Sequence, residues 1–307
     1  MKKSVILLFS LLLCLSVNSQ NVKNVPIIAD WSVGDKFAFD VQNSKTSKGT
    51  TKNVNYECFI TVVDSTADEY KLLFSYKGMQ NELFSDDTIF DNVDFSKFDF
   101  ESINNIYYYT NNVGEFLRID NWEYLLDKSI EIAESILKST ELDTAIISTS
   151  LAFVRLQYNS EESVAGLYDE IQIIHNLLGR QVSAKPVKKK TTLPTVVGSM
   201  PATVTATLVD YNSETKYCRA QIATTINDKA MKNYLKKFFK NMGYPIPADV
   251  LNSMKIESFD NTTSEYIANT GVPLRFEKIS GAKVSGLGQY EENINRKVIT
   301  NKKFKKA

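Results

Sequence analysis

Residues 120–179 decide the fold, because they separate two stretches in which β periodicity prevails. Their first part reads DNWEYLLDKSIEIAESILK (120–138). Its apolar side chains recur at helical spacing and share one face, while acidic and basic side chains occupy the other. Asp120 is in place to cap this helix, and Glu123 stands where a capping box needs a carboxylate. The stretch therefore predicts an amphipathic helix with one buried side.

The remainder of the block predicts two more segments. Residues 142–156 are apolar on two faces, which indicates a helix packed on both sides or a buried strand in its middle. A third segment begins at Asn159, with Glu162 in capping-box position, and ends at Gly179. His175 lies at the centre of its apolar face. We expect this histidine to be buried or to line a cleft, with one hydrogen-bond partner.

Residues 1–19 have the pattern of a cleavable signal peptide. Lys2 and Lys3 form the basic start, residues 5–17 the apolar core, and residues 17–19 a cleavage motif that leaves Gln20 as the mature N-terminus. The apolar run is too short for a stable membrane span. The sequence therefore predicts a periplasmic or secreted protein of the cell envelope.

The rest of the chain predicts β structure on both sides of the helical block. Alternating apolar and polar residues fill an N-terminal half (20–119) and a C-terminal half (203–299). Residues 180–202, with Pro186, Pro194 and Lys188, indicate an extended linker, and residues 300–307 a basic tail. The mature length suits one large domain or two. We therefore predict the α+β class, with antiparallel sheets on either side of a helical block.

The two β halves share short sequence patterns. The VVD of residues 62–64 and the LVD of residues 208–210 both precede a turn, and YTNNVG (109–114) is similar to YIANTG (266–271). These pairs indicate two related halves. The alternative is that any two antiparallel meanders share Asp- and Gly-containing turns.

The signal peptide, the strands with Asn, Asp and Gly turns, and the helices between strands together resemble lipoprotein carriers of the LolA and LolB type. Residues 270–276 (TGVPLRF) also resemble a D-x-x-T-G-x-P turn found in exported Bacteroidetes proteins. The resemblance implies a curved sheet or half-barrel, with helices over its concave face and a hydrophobic cleft between them. It assigns no functional residue.

Chemistry-bearing residues are few. Export permits a disulfide between Cys58 and Cys218, and two separate buried thiols are the alternative. Together with His175 they cannot supply the four ligands of a zinc site. No nucleophile motif or phosphate-binding loop is present, so we predict no catalytic residue, metal or cofactor. Because positive and negative charges balance, we also predict no nucleic-acid partner.

The strongest single feature is an amphipathic helix predicted over residues 228–242. Its lysines occupy one arc, and the opposite arc consists of Met231, Tyr234, Leu235, Phe238, Phe239 and Met242. Such a helix packs on a sheet, lies on an anionic membrane, or closes over an apolar cleft. We take the arc and His175 as candidate contacts for a ligand or membrane. The sequence favours a monomeric, non-enzymatic exported protein that binds an apolar or lipid-like ligand; the alternative is a structural or assembly partner in the envelope.

Overall fold

The structure, a computed structural model, describes residues 24–78, 93–140, 142–195, 198–241, 243–286 and 289–304. Within them, three short 3-10 helices (Phe95–Lys97, Phe100–Ile103 and Lys302–Phe304) accompany the following elements. In chain order these are β1 (Val25–Ile27), β2 (Lys36–Ser47), β3 (Thr50–Ser65), β4 (Glu69–Lys77), β5 (Ile106–Asn111), β6 (Phe116–Ile119), α1 (Trp122–Lys138), α2 (Thr144–Gln157), α3 (Glu161–Ala165), α4 (Asp169–His175), β7 (Arg180–Val182), β8 (Val187–Thr195), β9 (Gly198–Tyr211), β10 (Tyr217–Ile226), α5 (Asp228–Asn241), α6 (Ala248–Ser253), β11 (Lys255–Ile267), β12 (Val272–Gly286) and β13 (Gln289–Asn301).

Eleven of these strands form one antiparallel sheet, in the order β6-β5-β4-β3-β2-β13-β12-β11-β10-β9-β8. Strands β2 and β13 pair at its centre, so an early strand and the last described strand meet there. Strands β1 and β7 form a separate antiparallel pair. The α+β class and the antiparallel sheet are as the sequence predicts.

The main core lies between the sheet and the helical block. Val41, Ile299 and Phe276 stand opposite one another on neighbouring strands, and all three are buried. Ile171 and Ile174 of α4 belong to the same buried cluster. Because side chains alternate along a strand, this face of the sheet supplies every second residue to the core.

The short segment 28–30 crosses between two glycine turns. The Ala29 N–H donates to the carbonyl of Val113 at 3.1 Å, and the Asp30 N–H donates to that of Thr270 at 3.2 Å. A Cβ at Gly114 would lie 2.7 Å from the Cβ of Ala29, and one at Gly271 would lie 2.7 Å from its Cα. Both turns therefore require glycine for close backbone approach.

The helix starts differ from the predicted ones. Asn121, not Asp120, is the N-cap of α1, and Asp120 instead forms an ion pair with Lys71 at 2.8 Å. The segment predicted over residues 142–156 is the helix α2, which begins at Thr144. The third segment is two helices rather than one, α3 and α4, and α3 begins with a capping box formed by Ser160 and Ser163.

The predicted linker, residues 180–202, is wrong, since it contains β7, β8 and the first residues of β9. Lys188–Lys190 lie on β8, an edge strand of the sheet, where lysine and proline are tolerated because one side has no partner strand. The predicted basic tail is also wrong for residues 300–304. Strand β13 extends to Asn301, and Lys302 contacts Glu57 and Asp40. Residues 305–307 lie outside the described residues, as do the predicted signal peptide and Met242.

Of the two alternatives for the cysteines, the structure has the separate thiols, because Cys58 and Cys218 are free and buried. Cys58 lies on β3 and Cys218 on β10, with β2, β13, β12 and β11 between them. Five strand spacings amount to roughly 24 Å along the sheet. A disulfide needs Cα atoms within about 7 Å. Strand order therefore keeps the two thiols apart.

No helix in the described part of the chain has both the length and the apolar character needed to cross a membrane.

Candidate functional site

A pocket of about 540 Å³ opens where β4 ends. It is lined by Phe59, Ser75, Tyr76, Lys77, Gly78, Phe100, Glu101, Ile103, Asn104 and Tyr168. We call it the aromatic pocket. Its size lies within the roughly 300–1,000 Å³ that is typical of small-molecule sites. Four of its lining residues are aromatic, so its walls suit an apolar ligand.

The pocket exists because β5 is shorter than β4. The pairing of these strands stops at Phe74 and Ile106, so the last residues of β4 have no partner strand on that side. The side chain of Asn104 takes the place of one. It accepts a hydrogen bond from the Tyr76 N–H at 2.7 Å and donates to the Tyr76 carbonyl at 2.9 Å. These two hydrogen bonds satisfy the backbone N–H and carbonyl of Tyr76 at the strand edge, and they leave open space beside it.

Lys77 is the basic group of the pocket. Its side chain is 75% exposed, and its ammonium lies 3.8 Å from the carboxylate of Glu57. Lys302 is the closer partner of Glu57, and its hydrogen bond is the main cause that lowers the pKa of that carboxyl. Lys77 is therefore weakly held and can turn toward an anionic ligand group.

A buried ionic cluster lies behind the pocket wall. Its centre is Glu170 in the first turn of α4, which accepts hydrogen bonds from the Tyr56 hydroxyl and, at 2.8 Å, from the Tyr76 hydroxyl. The ammonium of Lys297 lies 2.6 Å from Glu170 and 3.1 Å from Asp169. We call these five residues the Glu170 cluster. It ties α4 to β3, β4 and β13.

Each donor of the cluster keeps its proton. Burial favours a lower pKa for Lys297, but Glu170 and Asp169 outweigh it and raise that pKa above the ordinary value. Burial, together with the charge of Glu170, raises the pKa values of Tyr56 and Tyr76 far above their ordinary range. Three donors thus converge on the carboxylate of Glu170 and hold it in place. The cluster is therefore suited to holding α4 on the sheet rather than to transferring protons.

The cluster extends toward solvent through Lys278. Its ammonium lies 2.8 Å from Asp169 and 3.7 Å from Asp260. Burial raises the pKa of Asp260, and Lys278 opposes that rise. No group of histidine, cysteine and acidic side chains with the arrangement of a metal site occurs among the described residues.

His175 lies in the core, where both ring nitrogens are engaged. Its Nδ1 is 2.8 Å from the carbonyl of Gly114, and its Nε2 is 2.9 Å from the Tyr108 hydroxyl. Because a carbonyl only accepts, Nδ1 carries the proton and Nε2 accepts from tyrosine. Burial lowers the pKa of His175 to about 4. The ring also contacts Trp31 edge-on, so both nitrogens are occupied by the fold.

Helix α5 is held mainly by its first turn. Ala230 is buried, and the Asp228 carboxylate accepts the Ile256 N–H at 3.1 Å. The helix packs against β9 and β11. The described members of the predicted arc are all only half-buried: Met231, Tyr234, Leu235, Phe238 and Phe239. The structure thus places the arc and His175 at different parts of the sheet, and neither lines the aromatic pocket.

The sequence alone did not identify several of these residues. Tyr168 falls inside the single helical segment predicted from Asn159 to Gly179, whereas it lies just before α4 and lines the pocket. Lys297 alternates in phase with Ile299, which places a charge on the inward face of its strand. Two signals in the sequence could have revealed the Glu170 cluster. One is a lysine on the inward face of a strand, and the other is an Asp-Glu pair at the start of a helix.

No protein-family model matches the chain, and no curated protein has a matching sequence.

Proposed function

We propose that the chain is an exported, non-enzymatic protein of the cell envelope that binds an apolar or lipid-like ligand. The observation that carries this proposal is the aromatic pocket. Its walls are Phe59, Phe100, Ile103 and Tyr168, and Lys77 stands beside them. A ligand with an apolar body and one anionic group matches these contacts.

The polar groups near the pocket favour binding over catalysis. Tyr76 is the link between the pocket and the Glu170 cluster, and its hydroxyl already donates to Glu170. Acid–base catalysis needs a group that can change its protonation near the working pH. The raised pKa of Tyr76 and the raised pKa of Lys297 keep both protonated at neutral pH.

We further propose that the sheet is a curved half-barrel built from two related halves. Along the sheet, β3-β4-β5-β6 follow one another as neighbours, and β9-β10-β11-β12 do the same. The β4–β5 connection (78–105) and the β10–β11 connection (227–254) are equal in length. The first borders the aromatic pocket, and the second contains α5. This correspondence supports a role for α5 as a cover for apolar ligand on its own half.

The alternative, an assembly partner in the envelope, would need a strand edge that is open to another chain. Strand β8 is the edge on the C-terminal side, and it carries Lys188–Lys190. A lysine-rich edge is a common protection against strand addition. This edge therefore favours ligand binding over assembly.

Ligand binding is tested by fluorescence titration with NBD-labelled dodecanoic acid. Ser75 lines the pocket, so Ser75→Phe should fill it and weaken binding about tenfold or more, which corresponds to about 1.4 kcal/mol. Thr61→Phe is the matched control. Thr61 lies on the same face of the neighbouring strand, and it is not among the residues that line the pocket.

Absence of saturable binding by the unchanged protein would overturn the proposal. Equal loss in both variants would also count against it, because it would indicate general damage to the sheet. Export is tested separately by N-terminal sequencing of the native protein, which should begin at Gln20.

A further inference from the structure

The two long connections of the sheet carry opposite charges. Residues 227–254 contain five lysines and two aspartates, whereas residues 78–105 contain seven carboxylates and one lysine. Strands β4 and β10 lie six places apart in an alternating sheet and so point the same way. Both connections therefore leave the same end of the sheet, at opposite flanks, and their sequences carry opposite net charge although the charge of the whole chain sums to zero.

Strand β8 adds to the positive flank. It pairs with β9, on which α5 also packs. Lys190 and Asn227, the residue before α5, line one pocket, which places the start of α5 beside the edge strand. Side chains alternate along β8, so Lys188 and Lys190 lie on one face of this edge strand and Lys189 on the other. The exposed lysines around this edge and on α5 form what we call the basic surface: Lys188, Lys189, Lys190, Lys229, Lys236, Lys237 and Lys240.

These lysines are not neutralised by the fold. Lys232, on the same helix, forms an ion pair with Asp228 at 2.8 Å. Asp228, the acidic residue in the first turn of α5, is therefore already paired with a lysine outside the basic surface. None of the seven lysines of the basic surface forms an ion pair with a described residue. Asp249 on α6 is the other acidic residue of the connection. The surface therefore retains a net positive charge that a partner can use.

We propose that the basic surface docks the protein on an anionic lipid membrane. All seven basic groups are lysines, whose compact, hydrated charges suit diffuse attraction to a charged surface. Planar recognition of single phosphates or bases favours arginine, and the surface has none. The four lysines that α5 contributes are exposed, while its apolar arc is half-buried.

Exposed apolar groups border the same surface. Val187, at the start of β8, is 57% exposed, and Tyr244, just beyond α5, is 73% exposed. Tyrosine is favoured at membrane interfaces because its ring is apolar and its hydroxyl is polar. A nucleic acid would offer an exposed valine in this position no favourable contact, so the apolar border favours a lipid surface.

The test is flotation with vesicles of phosphatidylglycerol and phosphatidylcholine, compared with vesicles of phosphatidylcholine alone. The full chain is expressed in a host that can process it, so every variant has the same N-terminus. Each lysine near an anionic surface strengthens binding roughly fivefold. The triple change Lys236→Gln, Lys237→Gln and Lys240→Gln should then weaken binding about a hundredfold. The triple change at Lys188, Lys189 and Lys190 should do the same.

The matched control removes three exposed lysines elsewhere. Lys36, Lys45 and Lys48 lie on β2 or in the turn after it, and their change to Gln alters the net charge by the same amount. This variant should bind anionic vesicles within about twofold of the unchanged protein, since distant charges are screened beyond roughly 10 Å at 0.1 M salt. Thermal melting of all variants confirms that each is folded.

Three results would overturn the proposal. The first is no flotation of the unchanged protein with anionic vesicles, or equal flotation with neutral ones. The second is an equal loss in the control variant, which would indicate attraction by net charge alone. The third is salt-sensitive self-association without flotation, which would assign the basic surface to the acidic flank of a second copy. None of these outcomes alters NBD-dodecanoate binding in the aromatic pocket, because the two sites share no residue.

Discussion

The ammonium of Lys297 and the carboxylate of Glu170 lie 2.6 Å apart, and their side chains are 10% and 4% exposed. The pair joins the central strand β13 to helix α4, which begins just after a wall residue of the aromatic pocket. A buried charge that loses its partner is strongly destabilising, since the remaining group has neither water nor a counter-charge. The ion pair therefore fixes the position of α4 on the sheet.

Lys297→Met should lower the free energy of unfolding by about 3–5 kcal/mol, because it leaves Glu170 buried without its cation. Urea denaturation measures the loss. The matched control is Lys255→Met, which removes an ion pair of the same 2.6 Å length, with Glu257, from an exposed position. The control should show little change, since exposed pairs contribute little. A similar result for both variants would contradict the role given to burial.

His175 should make the protein less stable as the pH falls. Its pKa is about 4 in the folded protein and about 6.5 in the unfolded chain. Between these values the unfolded chain binds more protons, so stability is full above about pH 6.5 and is lost toward pH 4, by about 3 kcal/mol in total. Thermal melts between about pH 5 and 7 measure this loss, because most carboxyl groups do not titrate in that range.

The chain has a single histidine, so His175→Gln provides the control. This variant is less stable at every pH, because it loses hydrogen bonds to Gly114 and Tyr108. Its stability should nevertheless be nearly flat over the same pH window. An unchanged slope would show that another group titrates there.

Gly271→Ala should destabilise the protein by several kcal/mol. The added Cβ would lie within 3 Å of Ala29 Cα and N, which are backbone atoms of the crossing segment and cannot rotate away. Gly243→Ala is the matched control, because Gly243 also has positive φ (82°) but open space around it. That change should cost only the backbone strain, about 1–2 kcal/mol. Chemical denaturation of both variants separates the two effects, and equal losses would exclude the backbone contact as the cause.

Cys58 and Cys218 should be unreactive toward thiol reagents in the folded protein. Burial raises the pKa of the Cys58 thiol well above its ordinary value and that of Cys218 to about 12, so neither forms the reactive thiolate. In denaturant without reductant, both thiols of the chain that begins at Gln20 should react. A titration that finds no reactive thiol under these conditions would instead indicate a disulfide between Cys58 and Cys218.

Local patterns account for what the sequence could predict. The amphipathic helices, the alternating strands and the turn at Gly271 depend on neighbouring residues, and they occur near the predicted positions. The linker failed as a prediction because lysine and proline in an edge strand have the same composition as an extended connection. The sequence left both a disulfide and separate thiols open, because the distance between Cys58 and Cys218 depends on the pairing of β2 with β13, which no local pattern specifies.

The candidate site was less predictable for the same reason. The aromatic pocket depends on β5 beginning opposite Phe74, and on the Asn104 side chain replacing a strand beside Tyr76. The Glu170 cluster joins residues that are as far apart as Tyr56 and Lys297. Helix α5 was predicted with nearly its observed bounds, because its periodicity is strong, but its half-buried state depends on the strands beneath it.

The pairing of β2 with β13 also sets the order in which the molecule is able to fold. It joins residues such as Val41 and Ile299, which are near opposite ends of the sequence, whereas the other neighbours in the eleven-stranded sheet are joined by far shorter connections. Closing a loop of that length costs roughly 5 kcal/mol in chain entropy. The hairpins on either side therefore form first, and this seam closes late and slowly. Until it closes, two hydrophobic strand edges are exposed at the middle of the molecule, so the seam is the point at which a folding chain is most open to aggregation or to help from a chaperone.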